Sequence, residues 1–219
     1  MPPAGNRRGK YLGFVAHEIK NPLATALWSC DLLRRMDAAD RAGPRAEKMV
    51  DASLRALRRM RRLVDDFFTI ERLTEHGFEL HSETVELRTL VDGALSALAE
   101  KDGIATQGWT VDIPGQVLVT GDPEMLRRGI RSVVEHMARG GNGQPQVTLV
   151  GHAASAGGEL LVRSSDPPRP LVPAAPEERP SGDPLGAVLG YALAQTILAA
   201  HGGSLLERDG ALVIALPKR

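Results

Sequence analysis

Residues 14–23 read FVAHEIKNPL, and the way Pro22 sits inside an apolar repeat decides how the first third of the chain folds. Leu12, Val15, Ile19, Leu23, Ala26, Leu27 and Leu33 recur at steps of three and four, which predicts a helix from about Arg7 to Arg35. A proline within such a helix removes one backbone donor and leaves the carbonyl of Glu18 without its usual partner, producing a local bend. The bend falls beside His17. At about 100° per residue, His17, Asn21 and Trp28 lie within roughly 40° of one line along the helix. Glu18 is adjacent to the histidine and can reach one of its ring nitrogens. A hydrogen bond from that nitrogen to a carboxylate leaves the other nitrogen with an available lone pair, which makes the imidazole a better nucleophile. A structural histidine beside an incidental proline is the plainer reading of a lone His. The combination His-Glu-x-x-Asn-Pro-Leu favours the nucleophile.

Working outward, DAADRAGPR interrupts the periodicity, with Gly43 at a turn and Pro44 suited to a first helical turn. A second helix is predicted from about Arg45 to Leu73. Val50, Leu57 and Val64 fall seven apart, and Leu54, Met60, Phe67 and Phe68 fill the intervening positions of a heptad-like core seam. Two long helices joined by a short turn make an antiparallel hairpin. One hairpin does not bury both of its apolar faces, so pairing with a second copy into a four-helix bundle is the natural completion. The basic run RALRRMRR, Arg55 to Arg62, reads as a solvated helix face or as a contact for an acidic partner domain.

Beyond Gly77 the pattern changes to strands mixed with helices. Leu87 to Glu100 is predicted helical, and WTVDIP and QVLVTGD are predicted strands. GDPEMLRRGIRSVVEHMARGG is a helix entered through Asp122 as N-cap and Pro123 in the first turn. QVTLVGHA and ELLVRSSD alternate like strands. Residues 167–182 hold six prolines and one glycine, which suits neither a helix nor a paired strand and predicts a loop. Ala187 to His201 is a helix, and SLLERDGALVIALP is a hairpin turning at Asp209-Gly210. The result is an α+β chain, divided into a helical hairpin at 1–76 and an α/β sandwich at 77–219.

Bulk properties narrow the function. Lys+Arg and Asp+Glu both number 27, so no basic excess favours nucleic acid or a membrane surface. The single cysteine, Cys30, excludes an internal disulfide and suits a reducing cytoplasm. No apolar run reaches the ~20 residues a membrane span needs, and the residues ahead of His17 leave no room for a sensor domain.

FVAHEIKNPLA resembles the phosphoacceptor box of bacterial two-component sensor histidine kinases at every defining position. The resemblance implies that His17 is phosphorylated on a ring nitrogen, that Glu18 is its general base, and that Asn21 orients the attacking group or a water. It implies a homodimeric hairpin, a response-regulator receiver domain as partner, and Thr25 and Trp28 as part of the docking face. Trp28 is otherwise a core residue, and its angular position favours docking. The resemblance further implies that residues 77–219 form a Bergerat-type α/β sandwich with a mixed sheet, the ATP-binding domain of the family. There the chain departs from the family pattern. The Mg²⁺-binding Asn falls on His136 and an earlier Asn on Ser132, while Arg139 keeps a basic residue that contacts phosphate. The first glycine box reads DPPRP: Asp166 remains to bind the adenine amino group, but both glycines are prolines, Pro168 and Pro170. The second box reads GAVLGY, keeping Gly186 and Gly190 and placing Val188 between them. Asp166 also fits a turn-capping role, and Gly186 and Gly190 a helix-start packing role.

Four functions follow from this mixture. One is a phosphotransfer protein in which His17 exchanges phosphoryl groups with a receiver aspartate and ATP binding is weak or lost. A second is an ATP-dependent autokinase with a divergent pocket, for which ATP and Mg²⁺ are cofactors. A third is a receiver phosphatase in which Asn21 positions water, and a fourth is a non-catalytic dimeric scaffold that leaves the intact histidine box unexplained.

Overall fold

The computed structural model describes residues 5–74, 79–102, 104–138, 145–166 and 186–218. The chain divides into two compact units, the first extending to Thr69 and the second beginning at Ile70.

The first unit is a helical hairpin. Helix α1 spans Gly5–Arg35 and runs through Pro22 without interruption; α2 spans Pro44–Thr74. The connection contains one 3-10 turn at Asp40–Ala42, and Pro44 takes the first helical position as its fixed φ favours. Val15, Glu18, Pro22, Ala26 and Ser29 of α1 are buried, a three-and-four spacing that marks one face. On α2 the inward positions are Ala46, Met49, Ser53, Ala56, Met60, Leu63 and Phe67, a strict heptad of buried and half-buried residues. The hairpin is tied across its seam where Cys30 Sγ and Ser53 Oγ lie 3.7 Å apart.

This seam corrects the sequence reading. Val50, Leu54, Leu57 and Phe68 are not in the hairpin core; they are 46%, 42%, 50% and 58% exposed. The buried positions of the hairpin include the small residues Ala26, Ser29, Ala46, Ser53 and Ala56. The bulkier repeat lies on the outside of the same helix. On α1, Leu23 and Leu27 are likewise exposed.

The second unit begins with strand β1 (Glu83–Glu86), which the sequence reading did not include, followed by α3 (Leu87–Asp102). Then come β2 (Thr110–Asp112), β3 (Leu118–Gly121), α4 (Pro123–Ala138), β4 (Val147–Ala154), β5 (Gly157–Ser164), α5 (Gly186–Ala200), β6 (Ser204–Arg208) and β7 (Ala211–Pro217). Strands β1 and β3 pair antiparallel as a two-stranded sheet. The remaining five order as β2-β4-β5-β7-β6, with β2 parallel to β4 and every other pair antiparallel. The sheet is therefore mixed. Helix α4 packs between α3 and α5, and against β4 and β5. Leu90, Leu98, Leu126, Ile130, Val133, Leu149, Leu160 and Ile214 anchor one apolar core between helices and sheet.

Local signals account for most element ends. Asp122 Oδ1 accepts hydrogen bonds from the N–H groups of Glu124 and Met125, both at 3.1 Å, and so caps α4 as expected. Helix α5 closes in a Schellman arrangement: Gly202 sits at φ +74°, and the Gly203 N–H donates to Leu198 O at 2.8 Å. Asp209 and Gly210 both have positive φ, 50° and 71°, the two-residue turn that matches strand twist in a hairpin. The proline-rich segment at 167–182 lies outside the described residues.

Candidate functional site

The histidine box occupies the middle of α1. His17 is in the helix, and its side chain lies outside the described set. Asn21, Thr25 and Trp28 are all exposed, Trp28 at 65%. They form a stripe separate from both the buried face and the Leu23–Leu27 edge, since helical neighbours recur at three and four residues. The Thr25 hydroxyl donates to Asn21 O at 3.1 Å, one turn back and beside Pro22.

Glu18 behaves differently from its neighbours. Its carboxylate is buried, and Oε2 lies 3.6 Å from Nη2 of Arg59 on α2. A carboxylate taken from water into a helix interface needs such a partner to offset lost solvation. Sequence reasoning missed Arg59 because it lies inside a basic run of which Arg55, Arg58 and Arg61 are exposed, Arg59 and Arg62 being half-buried. Heptad counting carried the signal, for position 59 falls between the inward positions 56 and 63.

The residues singled out in the second unit fall in three groups. Ser132 and His136 are buried on α4, and Gly190 is half-buried on α5. These come together where the two helices pack: a Cβ built on Gly190 meets nothing closer than the Ser132 Cβ at 3.9 Å. The His136 ring faces Tyr191, with centroids 6.4 Å apart and planes tilted by 47°. Tyr191 was not anticipated. Burial raises the pKa of its phenol above the usual 10, the Glu207 carboxylate raises it further, and a hydrogen bond from Gln195 Nε2 at 3.3 Å partly offsets both. Asp166 is half-buried in the bend after β5, where its N–H donates to Ser164 Oγ at 3.4 Å. Gly186 opens α5. Arg139, Pro168 and Pro170 lie outside the described residues, as does the side chain of Val188. Among the described residues, no group of three or more His, Cys, Asp or Glu is placed to hold a metal ion.

A helical hairpin carrying His-Glu-x-x-Asn-Pro, followed by an α/β unit with a mixed sheet, defines the phosphoacceptor-plus-catalytic-domain class of signalling proteins. Residues 7–76 match the His Kinase A (phospho-acceptor) domain. The sensor histidine kinase MtrB of Mycobacterium tuberculosis is 31% identical over 134 residues, covering 59% of this chain and 23% of that protein. The sensor protein VanS of Enterococcus faecium is 25% identical over 219 residues, covering 92% of this chain and 54% of that protein. Among solved structures, the Acinetobacter baumannii histidine kinase AdeS superposes with a TM-score of 0.66 at 15% identity, covering 92% of this chain and 97% of that one. Residues 7–76 are thus those of a phospho-acceptor domain, and the chain is similar to sensor histidine kinases. It spans about a quarter of MtrB and about half of VanS.

Proposed function

We propose that this chain is a phosphorelay protein in which His17 exchanges phosphoryl groups with the aspartate of a response-regulator receiver domain. Residues 1–76 act as the dimerising phosphotransfer hairpin, and residues 77–219 as an ATP-binding-like domain kept for scaffolding or docking. In transfer from the receiver, one His17 ring nitrogen attacks phosphorus. The bond from phosphorus to the aspartyl oxygen breaks, and its electron pair leaves with the carboxylate. Glu18 accepts the proton carried by the other ring nitrogen, and Asn21 orients the reacting group. The metal that phosphoryl transfer requires comes with the receiver domain. Trp28 and Thr25, on the exposed stripe below the histidine, supply the docking surface. The working compartment is the cytoplasm, consistent with a single, unpaired Cys30. Among the described residues no helix is long and apolar enough to cross a membrane.

The observation that carries this reading is His136. It stands where the family's magnesium-binding Asn falls, and it is buried against Tyr191. Magnesium is a hard, octahedral ion that takes oxygen ligands, so an imidazole is a poor substitute for an amide oxygen. Residues of this kind do not fit Mg²⁺-ATP. Retained Gly186, Gly190 and Asp166 are the features that favour the second reading, an autokinase with a divergent pocket.

Two labelling reactions decide between them. Incubation with a phosphorylated receiver domain is expected to place label on the chain, and His17→Ala is expected to abolish it. Incubation with γ-labelled ATP and Mg²⁺ is expected to give none. ATP label that disappears in His17→Ala would establish the autokinase. Receiver dephosphorylation without label on His17 would instead establish a phosphatase.

A further inference from the structure

The basic run RALRRMRR has no part in the phosphoryl chemistry at His17, yet the hairpin gives it a definite place. A net charge of zero hides an asymmetry: residues 1–76 hold 15 of the 27 basic residues against 10 of the 27 acidic ones. At about 100° per residue, Arg55, Arg59 and Arg62 fall within roughly 60° of one line on α2, with Arg58 at its outer edge. That line lies on one side of the inward heptad; Val50, Leu54, Leu57 and Phe68 lie on the other. On α1 the buried face likewise separates Asn21, Thr25 and Trp28 from Leu23 and Leu27. Both helices are right-handed and run antiparallel. Positions displaced in the same angular sense from the two buried faces therefore emerge on the same side of the hairpin. Leu23 and Leu27 join the outer apolar repeat on one side, and Asn21, Thr25 and Trp28 join the arginines on the other. Two contacts across the seam set the level. Glu18 lies beside Arg59 at 3.6 Å and Cys30 beside Ser53 at 3.7 Å, so Asn21–Trp28 runs alongside residues 53–59. Arg55 and Arg58 are exposed there, with no ion-pair partner among the described residues.

A receiver domain that gives up a phosphoryl group from an aspartate presents a phosphate carrying up to two negative charges and the carboxylates that hold its metal. We propose that Arg55 and Arg58 form a docking surface for an acidic receiver domain, continuous with the Asn21–Trp28 stripe on the polar side of the hairpin. The identity of the partner rests on the phosphorelay reading. Pairing of two hairpins through the apolar side leaves this side open. Asp51 and Asp66 close the stripe one helical turn beyond Arg55 and Arg62, so the basic track is only about 10 Å long. That length suits the acidic rim of one small domain better than the continuous phosphates of a nucleic acid. Charges in such a position speed encounter with an acidic partner and disfavour a basic one.

The test uses the full chain and a panel of purified, unphosphorylated receiver domains whose formal charges run from strongly acidic to neutral. Association with the acidic members is expected to be the faster, and to slow about tenfold or more between about 20 and about 500 mM NaCl. Arg55→Glu/Arg58→Glu is expected to slow it about tenfold or more while dissociation changes less than about threefold. Arg55→Lys/Arg58→Lys, which keeps the charge, is expected to associate at the wild-type rate. Arg163→Glu/Arg208→Glu makes the same charge change at exposed positions of the second unit and is expected to leave the rate within about twofold. Equal slowing by both reversals, no slowing by Arg55→Glu/Arg58→Glu, or no binding by any member overturns the proposal. So does a short DNA duplex that binds the wild type more tightly than every receiver. Phosphorylated receivers separate the two readings. Arg-dependent docking without label on His17 leaves the surface standing and defeats the phosphorelay; label that arrives at a rate indifferent to Arg55 and Arg58 does the reverse.

Discussion

Asp122 shows how a single side chain ends one element and starts another. Its Oδ1 takes two N–H groups of the first turn of α4, and its Oδ2 accepts the His81 N–H at 3.3 Å. Asp122→Ala is expected to destabilise the second unit by about 1 kcal/mol, the usual cost of losing an N-cap, read as a lower urea midpoint with an unchanged slope. Tyr191 gives a second test at this scale. Its proton is held more tightly in the folded chain than the usual value of 10 implies, because burial and the Glu207 carboxylate both oppose the phenolate. The stabilisation is fully present below pH ~10 and is lost as pH rises through the folded value. A phenolate absorbance titration is expected to show a Tyr191 step above pH 10. Tyr191→Phe is expected to remove that step and to flatten the fall of stability above pH 10.

At the scale of elements, the hairpin carries two heptad repeats on one helix, and they do different work. The inner repeat runs through Ala46, Ser53, Ala56 and Leu63; the outer repeat runs through Val50, Leu54, Leu57 and Phe68. Both have the same period, so the sequence made the helix and its periodicity legible but not which stripe faces α1. Side-chain size misleads at this point. The inner seam mixes Ala46, Ser53 and Ala56 with Met60, Leu63 and Phe67, while Val50, Leu54, Leu57 and Phe68 gather on the exposed face, where a further helix pair would pack. Leu63→Ala is expected to cost the hairpin about 2–5 kcal/mol, as buried large-to-small changes do. Leu57→Glu removes nothing from a single hairpin, in which Leu57 is 50% exposed. It is expected to raise the dimer dissociation constant by about 100-fold, the effect of a few kcal/mol lost on an apolar seam, while helicity persists. Sedimentation equilibrium alongside circular dichroism separates the two outcomes, and a dimer unaffected by Leu57→Glu would remove the outer seam as its interface. Strand β1 was illegible for another reason. ETVE is short, half acidic and paired only with β3, so neither alternation nor an apolar run announces it.

At the scale of the whole molecule, the histidine box and the residues that align with the family's nucleotide motifs belong to different compact units. The box at His17 was legible in the sequence because it is contiguous: five defining residues within one stretch of helix. The nucleotide residues come from α4, the bend after β5 and the start of α5, and only the fold brings Ser132 beside Gly190 and His136 beside Tyr191. That separation lets ATP binding be measured by itself, through the stability of the second unit. A ligand that binds only the folded state stabilises it by RT ln(1 + [L]/Kd), about 2.7 kcal/mol at roughly 100 times Kd. For a unit of this size, that corresponds to a rise of several degrees in Tm. With His136 in place of an oxygen donor, millimolar Mg²⁺-ATP is expected to leave the second unit's calorimetric transition where it is in buffer. A rise of several degrees that vanishes when EDTA removes Mg²⁺ would show that the imidazole at position 136 is tolerated, and would make the autokinase the working reading. A rise that survives EDTA would assign the remaining affinity to adenine contacts such as Asp166, which leaves the phosphoryl source with the receiver domain.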